Sequence, residues 1–87
     1  MDTEAESLAA RRRRLAFVMG RRSMLEMETL LARHLTSALD SLDAAGCRAL
    51  EILLQQTDND LLDWIAGVAP IPPEVDAGLI QRLRGGR

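Results

Sequence analysis

Six arginines fall within twelve residues, as Arg11-Arg12-Arg13-Arg14 and Arg21-Arg22, and no acidic side chain lies between Leu8 and Leu25. On a helix, successive residues turn by about 100°, so four arginines in a row point around the whole axis. Either the helix protrudes there, or one arginine lays its stem along the core edge. A run of this kind is either a solvated, partly frayed stretch of helix or a surface that binds an acidic protein or a nucleic acid. The chain has one Phe, one Trp and no Tyr, so the stacking platform of single-stranded nucleic-acid binders is missing. In Arg21-Arg22-Ser23-Met24-Leu25-Glu26 the Ser and Glu stand three apart before an apolar run, the spacing of a capping box. Ser23 would cap the helix and Glu26 would reach back. The two arginines do nothing for that helix, because its positive dipole end disfavours them. A partner's carboxylate or carbonyl would account for them.

Little else could do covalent chemistry. His34 flanks the stripe of Leu30, Leu31 and Leu35 and reads as a boundary residue of the core. Cys47 sits within an apolar helical pattern and behaves as a small hydrophobe. Asp58, Asp60 and Asp63 form a carboxylate cluster, but the first two suit a helix N-terminus and the third an exposed face. No P-loop, dinucleotide fingerprint or metal-ligand spacing is present.

The elements that must position these residues are helices. The 87 residues are enough for one small domain, with residues 1–5 and 85–87 expected to fray. An apolar fraction of 47% with almost no aromatics, four Met and many Leu favours helix over sheet. Stripes at i, i+3 and i+4 predict five helices. The first runs from Glu6 to Met19 and the second from Ser23, with Met27, Leu30, Leu31, Leu35, Ala38 and Leu39 inward. Asp43 caps a third, from Ala44 to Gln56, that buries Cys47, Leu50, Leu53 and Leu54. A short fourth, capped by Asp58, carries Leu61, Leu62, Trp64 and Ile65 and stops at Gly67. Pro73 opens the fifth, with Val75, Leu79, Ile80 and Leu83 buried and Arg82 and Arg84 at its C-terminal end. The expected fold is a compact all-α five-helix bundle.

Net charge is −2, but residues 11–33 are basic and residues 34–81 acidic, so the surface is two-faced. One cysteine excludes a disulfide framework, and no apolar run approaches the 18 residues of a membrane span. A cytoplasmic protein, monomeric or weakly dimeric, is the expectation.

Two segments carry a resemblance. Arg21-Arg22-Ser23-Met24-Leu25-Glu26-Met27-Glu28, followed by Leu53-Leu54-Gln55-Gln56-Thr57-Asp58-Asn59-Asp60-Leu61-Leu62-Asp63-Trp64-Ile65, resembles the SdhE (YgfY) family of FAD assembly factors. The likeness spans about residues 11–84. Family members are five-helix proteins with an Arg-Gly-x-x-Glu motif and a later Asp-x-Asp-Leu-x-x-Trp stretch, which this chain matches at Asp58, Asp60, Leu61 and Trp64. The resemblance implies an assembly chaperone, not an enzyme, which promotes covalent FAD attachment to the flavoprotein subunit of succinate dehydrogenase or fumarate reductase. It implies partner contacts through Arg21, Arg22, Ser23 and Glu26, a second surface at Asp58, Asp60 and Trp64, and no stably bound cofactor of its own. Ser23 stands where the family has Gly, and Leu25 where a charged residue is common. The alternative is an interaction module whose Arg-rich first helix grips an acidic partner or RNA.

Overall fold

The computed structural model describes residues 7–85. Glu6 and the terminal segments expected to fray, apart from Gly85, lie outside them. Helix α1 (Leu8–Met19) is capped by Ser7, whose Oγ accepts the Ala10 N–H at 3.0 Å. It turns Leu15 and Met19 inward, and Leu8, in its first turn, stays partly exposed. Helix α2 (Leu25–Leu39) buries Met27, Leu31, Leu35, Ala38 and Leu39, with Leu30 packed at the edge. Helix α3 (Ala44–Leu54) is capped by Asp43 and buries Cys47, Leu50, Leu53 and Leu54, as its stripe requires.

Helix α4 (Asp58–Ala66) begins one residue earlier in its capping than expected. Thr57 is the cap, its Oγ1 accepting the Asp60 N–H, and Asp58 is the first helical residue. Gly67 ends the helix at φ +78°, while the Val68 N–H reaches Asp63 O at 2.9 Å and the Gly67 N–H reaches Trp64 O at 3.2 Å. That left-handed closing turn favours glycine. Helix α5 (Ala77–Leu83) starts later than the proline pattern suggested. Pro72 to Val75 form a turn closed by the Val75 N–H on Pro72 O, and Asp76 caps the helix by accepting from Gly78 and Leu79. Val75 is still buried, but from the turn and not from the helix.

Among the described residues there are five helices and no strand. Helix α1 packs on α2 and α3, and α5 packs on α2 and α4, so one apolar cluster is shared by all five. Arg84 adds a polar tie. Its guanidinium donates to Trp64 O at 2.6 Å and Ile65 O at 3.0 Å, so it caps the carbonyl end of α4 instead of its own helix.

Candidate functional site

The loop between α1 and α2 is held from across the fold. Arg22, expected to face a partner, turns its guanidinium into the corner where α3 gives way to α4. Its Nε donates to Asp58 Oδ1 at 2.8 Å, and its Nη2 lies 2.7 Å from the same oxygen. The same Nη2 donates to Gln56 O and Nη1 to Leu54 O, each at 2.6 Å. Side-chain exposure is only 10% for Arg22 and 5% for Asp58. The charge therefore sits on the carbonyl end of α3, which is partially negative and otherwise lacks donors. An arginine unhelpful to its own helix is thus explained by another one.

Asp58 gathers donors on its second oxygen as well. Ser23 Oγ and the Met24 N–H each donate to Oδ2 at 3.0 Å. Burial, the largest single influence, pushes the Asp58 carboxyl up; the bonds from Arg22, Ser23 and Met24 together outweigh it and hold the carboxyl below its ordinary value. The capping box does not form. Met24 is the residue before α2, no side chain caps that helix, and the Ser23 hydroxyl is spent on Asp58. In a capping box the serine oxygen would accept a backbone N–H; here the hydroxyl donates instead, to a carboxylate 35 positions away in sequence. Glu28, not Glu26, reaches back, its Oε2 accepting the Arg22 N–H at 3.0 Å.

This cluster leaves a defined corner at the surface. Arg21, Ser23, Leu25 and Glu26 are exposed, Leu25 to 77%. Glu26 makes no hydrogen bond or ion pair with any described residue. Arg21 stacks over the Phe17 ring, 5.2 Å from its centroid. The three residues of the second surface expected from the sequence fall in different settings. Asp58 belongs to the buried cluster and Trp64 to the core, since it follows Leu61 on the inward face of α4; only Asp60 is exposed.

No residue in the Ser23 backbone region needs glycine, for φ is positive only at Gly67 and Gly85 among the described residues. Ser23→Gly should therefore remove one of the donors to Asp58 and nothing else of consequence. A loss of about 1 kcal/mol is expected, read as a lower urea midpoint at unchanged slope.

The arginine run neither protrudes nor remains wholly at the surface. Arg11 pairs with Glu51 through two 2.9 Å bonds, and Arg14 reaches the same carboxylate at 3.2 Å. These bonds, the Arg11 one foremost, hold the Glu51 carboxyl below its usual range. Arg12 donates twice to Leu42 O, at 3.0 and 2.6 Å, beside the α2–α3 loop. Much of the positive face that the nucleic-acid alternative needs is thereby used inside the fold. Cys47 is fully buried, His34 is half-buried, and no three His, Cys, Asp or Glu side chains among the described residues converge on a metal position. A shallow groove of about 300 Å³ lies between α3 and the Pro72–Val75 turn, lined by Ala45, Arg48, Ala49, Ile52, Pro73, Glu74, Val75 and Asp76. Its charged lining is one cation, Arg48, and two carboxylates, Glu74 and Asp76.

Among the described residues the class is that of a small all-α domain that presents an exposed charged corner beside a buried ion-pair cluster. Comparison with known proteins narrows that class. The sequence model of the family described as flavinator of succinate dehydrogenase matches residues 13–86, and the chain belongs to that family. Similar proteins include the FAD assembly factor SdhE of Acetobacter pasteurianus, 32% identical over 90% of this chain and 72% of that protein. Succinate dehydrogenase assembly factor 2, mitochondrial, of Dictyostelium discoideum is 28% identical over 97% of this chain and 60% of its own length. The Culex quinquefasciatus protein of the same name is 32% identical over 91% of this chain and 51% of its own length. The chain thus spans about half to three-fifths of these mitochondrial relatives. No solved structure matches it.

Proposed function

We propose that this protein is an assembly chaperone that binds the flavoprotein subunit of succinate dehydrogenase or fumarate reductase and promotes covalent attachment of FAD there. The observation that carries this reading is the corner of Arg21, Ser23 and Glu26, exposed yet held rigid by the Arg22–Asp58 cluster, in a chain of the flavinator family. Pre-ordering lowers the entropy lost on docking, so a small surface can suffice. Glu26 and Arg21 would meet complementary charges of the client, and Arg22 acts as a positioning residue behind them. The flavin bond forms on the client, which carries the FAD, and the helper brings no catalytic group. No helix among the described residues is long and apolar enough to cross a membrane. The same reading places the work in the cytoplasm, where the free thiol of Cys47 stays reduced.

Titration calorimetry of the purified chain tests the proposal, against flavin-free flavoprotein subunit and against FAD alone. A one-to-one complex with the subunit, weakened by salt, and no heat with FAD alone are expected. Tight binding of FAD without any binding of the subunit would overturn it.

A further inference from the structure

Phe17, the chain's only phenylalanine, is 64% exposed. It follows Leu15 by two residues, so it points to the opposite side of α1 from that buried leucine. Arg13 lies one turn earlier on the same outward side, and Arg21 covers one face of the ring at 5.2 Å. Ala16 and Gly20, both exposed, leave the ring standing clear of bulky neighbours. A core-sized aromatic held out in water, with a cation before it and another on it, has no packing role in this fold.

The charge around it indicates what would cover it. From Leu8 to Leu25 there is no acid, and Arg11, Arg12 and Arg22 are engaged by Glu51, Leu42 O and Asp58. Arg13 and Arg21 are left at the surface on either side of the ring. Aromatic and arginine side chains are the usual anchors of protein interfaces, the ring entering a pocket while charges around it select an oppositely charged rim. Arg21 also belongs to the exposed corner beside Ser23 and Glu26, so the outward face of α1 continues that surface.

We propose that the outward face of α1 is part of the docking surface for the flavoprotein client, with Phe17 entering an apolar notch and Arg13 and Arg21 meeting an acidic rim. This rests on the chaperone reading above. The test is biolayer interferometry of the full chain on immobilised flavin-free flavoprotein subunit. The variants are Phe17→Ala and the double change Arg13→Glu with Arg21→Glu, each checked for unchanged helicity by circular dichroism. Both should bind at least about tenfold more weakly than the unaltered chain, and the double variant should also lose most of the salt dependence. If the unaltered chain binds and Phe17→Ala binds equally well, this inference falls and the chaperone reading stands. If the unaltered chain does not bind the subunit at all, both fall. Phe17-dependent binding to a uridine oligonucleotide, to phosphatidylglycerol vesicles or to a second copy of the chain, without an effect on the subunit, would overturn it in favour of that occupant.

Discussion

Arg22→Ala is expected to destabilise the fold by about 3 kcal/mol or more, the usual cost of breaking a buried ion pair from one side. Its four donor contacts vanish together, leaving the Asp58 carboxylate and the carbonyls of Leu54 and Gln56 with fewer partners in a largely buried corner. A domain of 87 residues has a total stability of roughly 4–13 kcal/mol. The variant should therefore melt about 12–25 °C lower, and a less stable background would unfold outright. Lysine cannot replace the fork, since it offers no planar pair of donors. Thermal melts by circular dichroism decide the matter; a melting temperature within about 3 °C of the unaltered chain would remove Arg22 from this role.

The same cluster sets a dependence on pH. Because the Asp58 carboxyl is held below its unfolded value, its contribution is complete above that value, near 4, and is lost as the pH falls through the folded one. Glu51 acts in the same direction. Stability should be level near neutrality and decline below about pH 5, and Asp58→Asn should start lower and decline less.

The second large effect separates function from folding. Glu26→Ala should leave the unfolding free energy from urea titration within about 0.5 kcal/mol of the original, because the side chain is exposed and bonded to nothing described in the chain. Covalent flavin on the client should nonetheless fall at least tenfold. On the proposed reading two residues of one sequence motif would have different tasks, Arg22 building the corner and Glu26 meeting the client. A Glu26→Ala variant with full activity would leave the corner without its acidic contact and refute its assignment.

The apolar stripes of α2 and α3 were legible because a period of 3.6 marks the buried side whatever lies opposite. Asp43 and Gly67 were legible as well, since each acts on backbone within a few residues. The Arg22 cluster was not. Ser23 and Glu26 satisfied a local capping pattern, and nothing nearby in sequence showed that Asp58 would take the hydroxyl. The pairing of Arg11 with Glu51, 40 positions apart, was illegible for the same reason. The burial of Trp64 could have been read from its position three residues after Leu61, a signal masked by its place in the family motif. Phe17 gave a cue too, for it falls off the Leu15 and Met19 stripe.

The measurement that bears most directly on the account is in-gel fluorescence of covalent flavin on the purified flavoprotein subunit, incubated with FAD with and without this protein. A several-fold brighter band when the chain is added, reached without any flavin bound to the chain itself, is the predicted result. An equally bright band in both lanes, with the chain folded and the subunit competent to accept flavin, would contradict it.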